Sequence, residues 1–434
     1  VNDRVAIIGG GFSGAMLAAR LAESGADVAL IERGDRAGLG VAYSTPFASH
    51  LLNVRSGRMS ARADQPRDFV DWLEETHPEL ADPEGFAPRR VYGEYVRSRL
   101  ATAQAKHADR LQIVRGEAKG LDDGEVILAD GSRLAARAVV LATGNPPPRT
   151  ARPGQDPNLI IADPWAPGAL DVVRPSDEVV IVGSGLTMID VMLMLEDRGW
   201  LGRALVISRR GLMPRPHDAN QPRVEPRAVA PGPLSTRLAT ERRHVRAEGW
   251  GVTMDRLRSL NARLWGELTG AERSRFLRHL RPWWDVHRHR IAPEPARRIE
   301  ALMAEDRLVV RAGRLETVEA RRGGLEVRWR PRGHTASQTR PTDRLIDCTG
   351  PGHDPTRSAE PFTRALIAQG LARPDPLRLG LDVDAEGRLI DARGRASDRI
   401  FVLGPPALAA FWETVAVPDI RERIEDLTAR LTPG

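Results

Sequence analysis

The sequence predicts an α/β protein containing two Rossmann-like dinucleotide-binding units and a mostly helical excursion. Three observations predict it. A β-branched run from Val5 ends in a glycine-rich turn that opens a helix. A second run from Val179 does the same. The strand that follows each turn ends in different side chains.

The first turn reads Gly9, Gly10, Gly11, Phe12, Ser13, Gly14. In this pattern Gly9 bends the chain tightly, Gly11 lets a pyrophosphate approach the backbone, and Gly14 lets helix pack on strand. The pyrophosphate would sit on the helix N-terminus, where free N–H groups and the helix dipole favour an anion. A second strand, Val28 to Glu32, ends in an acid followed by Arg33. A carboxylate at that distance from the turn accepts from ribose hydroxyls. Strand, turn, helix and acid in register predict a bound dinucleotide.

The second turn reads Gly183, Ser184, Gly185, Leu186, Thr187, Met188. Met188 stands where the third glycine would be, so closer helix–strand packing is not expected there. The next strand, Ala204 to Ser208, ends without an acid and continues into Arg209 and Arg210. A carboxylate would repel a 2′-phosphate, whereas arginines bind one through charge-assisted, fork-like hydrogen bonds. NADPH is therefore favoured over NADH. Two such turns with different chemistry downstream predict two dinucleotides exchanging electrons, the layout of a flavoenzyme reduced by a nicotinamide cofactor.

Composition narrows the class. The 434 residues suffice for two or three domains with their own cores. No run of eighteen apolar residues occurs, and the apolar start is strand and glycine turn rather than a signal peptide, so a cytoplasmic enzyme without a membrane span is expected. The formal charge is +6, but the 64 basic residues face 58 acidic ones and are spread along the chain, so no nucleic-acid partner is expected. All but two of the basic residues (Lys106 and Lys119) are arginines. Cys348 is the single cysteine, within an apolar run, and is expected to be a buried inert thiol. A dithiol–disulfide relay needs a cysteine pair, so that chemistry is excluded.

Along the chain, a helix-rich stretch contains Phe69, Trp72 and Leu73, a hairpin turns at Gly131, and a buried strand from Ala138 leads to Gly144. The proline-rich segment Asn145 to Pro148 reads as a crossover. The second unit begins near Glu178, carries a mostly helical excursion over about 212–307, and closes on a strand leading to Gly350. The final block contains Gly404 and an amphipathic helix beginning at Val417 or Pro418, with Asp419 and Glu422 in its first turn.

Several further motifs carry a closer likeness. They are Gly38 to Ser44, with Gly40, Val41 and Tyr43; His50 to Ser60, with Asn53, Arg58 and Met59; Ala142, Thr143, Gly144, echoed by Cys348, Thr349, Gly350; Ser208 to Arg215; Trp284 to Arg290; and Phe411 to Pro418. With these, the chain resembles two-dinucleotide-binding flavoproteins of the bacterial FAD/NAD(P)-binding family related to flavin-dependent N-hydroxylating monooxygenases. The resemblance implies an NADPH domain (175–345) inserted in an FAD domain (1–160 and 346–434). It implies that Asn53, Arg58, Met59 and Ser60 run past the FAD, close to the isoalloxazine, and that Thr143, Gly144 and Gly350 mark the crossings between domains. It implies that the last helix aims its N-terminus at the flavin. Gly40 and Gly404 give backbone room beside a cofactor, and Trp412 and Glu413 are expected to touch flavin rather than to form a surface turn.

The excursion carries Trp250, Trp265, Trp283 and Trp284 and ends in His287, Arg288, His289, Arg290. A His-x-His pair on a helix diverges, and no third ligand completes a set, so no metal is expected. His217, Trp284, His287 and His289 are instead candidates for lining the NADPH or substrate pocket, with capping or solvated roles open for the histidines. The resemblance implies hydride transfer from NADPH to FAD, then insertion of one oxygen atom of dioxygen into a small nucleophilic substrate, an amine or amino acid first. A plain NADPH oxidoreductase or oxidase, or a non-catalytic FAD-binding protein, are the alternatives. The Phe-x-Gly-x-x-x-His fingerprint of many flavin monooxygenases is missing, with Asp163, Pro164, Trp165 in the comparable linker, so Baeyer–Villiger chemistry is not expected. No residue is singled out as catalytic, and homo-oligomerisation is left open.

Overall fold

Short, wholly apolar strands alternate with helices in the way that buried parallel sheets require. The computed structural model describes residues 3–148, 156–218 and 224–432. A piece of the excursion (219–223) therefore lies outside the described residues, whereas the expected crossover, Asn145 to Pro148, is described and forms neither helix nor strand.

The chain opens with β1 (Val5–Ile8), α1 (Phe12–Glu23), β2 (Val28–Glu32), a helical turn α2 (Gly40–Tyr43), α3 (Asp68–Thr76), α4 (Arg89–Lys106) and β3 (Leu111–Arg115). An antiparallel trio follows, β4 (Ala118–Asp122), β5 (Glu125–Leu128) and β6 (Arg133–Ala135), and then β7 (Ala138–Leu141). The second sheet begins with β8 (Ile160–Ile161), β9 (Val179–Val182), α5 (Leu186–Asp197) and β10 (Ala204–Ser208). The excursion supplies α6 (Leu234–Glu248), α7 (Trp250–Leu257), α8 (Asn261–Glu267), α9 (Gly270–Arg275), α10 (Arg281–Arg288) and α11 (Pro293–Ala304). The return runs through β11 (Leu308–Arg321), β12 (Gly324–Pro331), β13 (Gln338–Thr342), β14 (Arg344–Asp347), α12 (Pro361–Ala368), β15 (Arg388–Ile390), β16 (Ala396–Val402), α13 (Leu408–Phe411) and α14 (Val417–Leu431).

The first sheet has the order β15-β16-β7-β1-β2-β3, parallel except for β15. The second has the order β13-β12-β11-β10-β9-β14-β8, with β12 and β13 joining antiparallel. In each, the strand before the glycine turn (β1 or β9) has the next strand of the chain on one side and a strand that returns much later (β7 or β14) on the other. That switch point is where open α/β sheets leave a crevice for ligands.

All four residues of β1 and of β7 are buried because both faces of the sheet are covered. On one face α1, α4 and α14 pack through Leu17, Tyr92, Tyr95, Val96, Ile424 and Leu427. On the other, β4–β6 and α12 pack through Val126, Leu128, Phe362 and Leu366. The second sheet is covered by α5 and α11 through Met192, Leu195, Ile299 and Leu302. Met188, standing in place of the third glycine, is fully buried in that same cluster. Across the sheet, Trp329 and Val327 pack against Val180 and Ile207. Cys348 is also buried, and burial pushes its thiol well above the usual range.

The two sheets are clamped together by charge. Arg89 on α4 donates two hydrogen bonds to Asp190 on α5, at 2.9 and 3.0 Å, with both side chains largely buried. Beside them the fully buried His50 lies 2.8 Å from Thr45 Oγ1 and places Nε2 3.1 Å from the Asp190 carbonyl. Among the described residues no helix is long and apolar enough to cross a membrane.

Candidate functional site

The first glycine turn is shaped by contacts that leave no room for a side chain. Gly9 has φ +101°, and a Cβ there would lie 2.5 Å from the Ala142 carbonyl oxygen at the end of β7. A Cβ on Gly14 would lie 1.9 Å from Gly9 O. By contrast, Gly11, the N-cap of α1, has nothing nearer than Gly40 Cα at 3.6 Å, and no side chain caps the helix. The first N–H groups of α1 are therefore offered to an anion. Glu32 stands beside them, accepting from Gly10 N at 2.7 Å and from Gly34 N at 2.9 Å. Each carboxylate oxygen keeps a lone pair for a ribose hydroxyl. Gly404, with φ +78°, sits over Ser13, so the end of β16 borders the same turn. These features fit a dinucleotide such as FAD.

The second turn repeats the design. Gly183 has φ +103°, and a Cβ there would meet Cys348 O at 2.3 Å. Gly185 caps α5 with nothing within 4 Å of a Cβ and no side-chain cap, with Leu186 and Thr187 opening the helix. Ser208 is occupied locally: Gly211 N donates to its Oγ at 3.0 Å, and Ser184 Oγ lies 2.8 Å away. Arg209 is exposed, and Arg210 donates to the Arg278 carbonyl at 3.4 Å. Neither has a carboxylate within 4.0 Å among the described residues. This too fits a second dinucleotide carrying an extra phosphate.

The remaining expected cofactor residues divide. Thr143, Gly144 and Gly350 follow β7 and β14 beside the two turns, and both glycines adopt positive φ with open space where a Cβ would be. Gly40 abuts Gly11, while Arg33 and Val41 are exposed. Asn53 and Arg58 line a cleft, but Met59 and Ser60 are buried, and Ser60 Oγ donates locally to Gln65 O at 2.6 Å.

The same cleft is walled by Arg55, His217, Asp255, Arg258, Arg288 and Arg290. His217 reaches it because its backbone bonds to Ile291 and its ring packs 4.9 Å from Phe86. Its Nε2 lies 3.0 Å from Asn53 O. Burial, with Arg290 nearby, pushes its pKa down to about 4, so the ring is neutral at pH 7. A carbonyl only accepts, so the proton sits on Nε2 and Nδ1 is bare.

Behind the cleft is a second cluster. Trp412 and Glu413 both hold left-handed backbone, φ 41° and 58°, just before α14. Trp412 stacks on Trp265 with centroids 4.6 Å apart, and Phe276 meets it edge-on. Glu413, 3% exposed, accepts from Trp284 Nε1 at 2.6 Å and pairs with Arg288 at 2.8 Å and with His289 at 3.4 Å. Burial alone would raise its pKa, but Arg288, His289 and Trp284 together hold it down at about 2. Both side chains thus engage the excursion, and they bring Trp284 and His289 to one carboxylate. His287 lies apart, with Nδ1 2.7 Å from Trp283 O and its ring against Trp250. Among the described residues no group of three potential ligands could hold a metal ion.

Sequence reasoning missed Arg55, Arg258, Arg288 and Arg290 as a group, and Arg89 with Asp190. In a chain so rich in arginine no spacing marks these out. The one available signal was the alternation of arginine with histidine over 287–290, where attention fell on the histidines.

Residues 6–146 match the FAD-NAD(P)-binding family, so the first glycine turn lies in an FAD-NAD(P)-binding domain. No curated protein matches the chain by sequence. Among solved structures, the ornithine N-hydroxylase of Kutzneria sp. 744, described with reduced FAD, NADP+ and L-ornithine, aligns with a TM-score of 0.67 at 17% identity, over 98% of both chains. The ornithine hydroxylase of Pseudomonas aeruginosa gives 0.64 at 18%, over 99% of both. The cadaverine monooxygenase of desferrioxamine biosynthesis in Erwinia amylovora gives 0.66 at 16%, over 100% of this chain and 94% of that one. The fold of this chain, end to end, is that of these two-dinucleotide flavoprotein monooxygenases.

Proposed function

We propose that this protein is an FAD- and NADPH-dependent monooxygenase that N-hydroxylates a small amine or amino acid. The observation that carries the proposal is the pair of uncapped glycine turns on two sheets, in a chain that aligns over its whole length with N-hydroxylating enzymes. The single buried cysteine speaks against the dithiol reductases that share the layout.

In this reading the FAD unit comprises 1–160 and 346–434 and the NADPH unit 175–345. FAD, when bound, supplies hydride acceptance from NADPH and activation of dioxygen. The chain supplies the rest. The backbone of Gly9 to Gly14 and the α1 dipole hold one pyrophosphate, and Glu32 accepts from its ribose. Gly183 to Thr187 hold the other pyrophosphate, and Arg209 and Arg210 bind the 2′-phosphate. No side chain caps α14 at Ala416, and the positive end of its dipole favours negative charge beside it. Trp265, Phe276 and Trp412 pack a dry wall behind the cleft, and neutral His217 offers Nδ1 as an acceptor for a substrate proton.

The test is to measure NADPH consumption, hydrogen peroxide and hydroxylamine together on the FAD-loaded protein across a panel of amines and amino acids. Hydroxylamine formed in step with NADPH consumed supports the proposal. Peroxide equal to NADPH with every amine would make the protein an oxidase, and failure of NADPH to bleach the flavin would overturn both.

A further inference from the structure

The cleft beside His217 is more basic than the carboxylates that line and back it, which are Glu84, Asp255, Glu413 and Asp419. Five arginines line it against Glu84 and Asp255. Three of the five are committed. Arg55 pairs with Glu84 at 3.3 Å, Arg288 with Glu413, and Arg290 with Asp255. The other two, Arg58 and Arg258, come from different parts of the chain. Arg58 ends a single 3-10 turn of the first unit, and Arg258 begins another directly after α7. Neither has a carboxylate within 4.0 Å among the described residues, and a buried terminal nitrogen of Arg258 has no hydrogen-bond partner there. Burial lowers the Arg258 pKa only to about 10, so the group remains a cation at neutral pH. Asp419 and Asp255 act on Arg258 through space but hydrogen-bond to neither it nor Arg58, and a guanidinium held out of water with donors unused is costly and is normally matched by an anion.

Neither glycine turn contributes to this cleft. The pyrophosphates that the turns would hold therefore do not answer its charge. A guanidinium fork matches a carboxylate bidentately, and two forks reaching one cleft from distant parts of the chain suit a ligand with two acidic groups. Resting on the monooxygenase reading above, we infer that the substrate is a small α-amino dicarboxylic acid, held by Arg58 and Arg258, with its amine presented near His217. The arginine field has a second effect. Positive charge around an amine disfavours its ammonium form, so the cleft would help keep the nitrogen lone pair free for reaction. The balance is that of an N-hydroxylation. One N–H becomes N–OH, the second oxygen atom of dioxygen leaves as water, and NADPH with one proton from solvent supplies the two electrons and two protons of that water.

The experiment uses the FAD-loaded protein saturated with NADP+, and reads binding by calorimetry separately from turnover. L-Aspartate and L-glutamate are compared with L-asparagine, L-glutamine and L-ornithine. One of the two acidic amino acids is expected to bind at least roughly tenfold more tightly than its amide or than ornithine. Arg58→Gln and Arg258→Gln should each weaken that binding roughly tenfold or more, with the lysine variants intermediate because they keep charge but lose the fork. If Arg258→Gln does not fold, Arg58→Gln and the wild-type ligand series carry the test. Preferential binding or hydroxylation of ornithine overturns the inference while leaving the monooxygenase reading intact. Competition between the acidic amino acid and NADP+ also overturns it, since the cleft would then belong to the cofactor. Tight binding of aspartate or glutamate accompanied only by peroxide release upholds the ligand class and overturns the monooxygenase reading instead.

Discussion

Replacing Glu413 with glutamine isolates the buried charge that joins the last helix to the excursion. The substitution keeps the shape and an oxygen for Trp284 Nε1, but it removes the partner of Arg288, which is itself 8% exposed and retains only Asp419 at 3.8 Å. Holding the carboxyl at about 2, against an ordinary 4.5, corresponds to about 3 kcal/mol of stabilisation at pH 7. That agrees with the roughly 3–5 kcal/mol lost when one partner of a buried ion pair is removed. The sign follows from the direction of the shift. The folded-state pKa lies below the unfolded one, so the stabilisation is complete above about pH 4.5 and disappears as the pH falls through about 2. Urea denaturation of wild type and Glu413→Gln, followed by tryptophan fluorescence, reads the difference, because Trp265, Trp284 and Trp412 surround the site. At pH 7 the variant should be less stable by about 3 kcal/mol, and by pH 3.5 that gap should have narrowed by roughly 1 kcal/mol. A gap below about 1 kcal/mol at pH 7, or one that does not narrow on acidification, would refute the reasoning.

Three other perturbations follow from the geometry. Gly14→Ala forces a Cβ into Gly9 O. An overlap of this kind costs about 1–3 kcal/mol, so the purified protein should carry roughly tenfold less flavin per chain by absorbance; full flavin content would contradict the contact. Asp190→Asn strands Arg89 at the joint between the sheets and should cost about 3–5 kcal/mol in urea denaturation, more than the apolar pair Arg89→Met with Asp190→Leu. A double variant less stable than the single would show that the pair is not acting as a buried ion pair. Arg209→Ala with Arg210→Ala should raise the KM for NADPH roughly tenfold or more while leaving that for NADH unchanged; equal effects on the two cofactors would remove the 2′-phosphate assignment.

The parts of the fold that were legible from sequence are those set by local chemistry. Gly9 and Gly183 could be recognised because a strand, a tight turn and a helix must meet there, and the final helix, which starts at Val417, could be started at Val417 or Pro418 because proline suits a first helical turn. The excursion was legible as helical and as pocket lining, but through its histidines and Trp284 rather than through its arginines. Arg258 and Arg58 lie 200 positions apart in the numbering, and their meeting depends on how α7 and α10 settle on the first unit. Trp412 and Glu413 are a similar case. Their left-handed backbone turns both side chains toward the excursion, a choice made by tertiary packing on Trp265 and Arg288 and not by propensity. His50 stood in a motif noticed for its likeness alone; its partner Asp190 is on another sheet's helix, and no local rule pairs them.

The two glycine turns have a mechanical consequence. Gly9 leans on the carbonyl that ends β7, and Gly183 leans on the one following β14. These are the strand ends from which the chain leaves the first sheet and returns to it. A shift of one sheet against the other would therefore be felt at both turns at once, and it would have to break two ties: the Arg89–Asp190 pair, and the grip of Trp284 and Arg288 on Glu413.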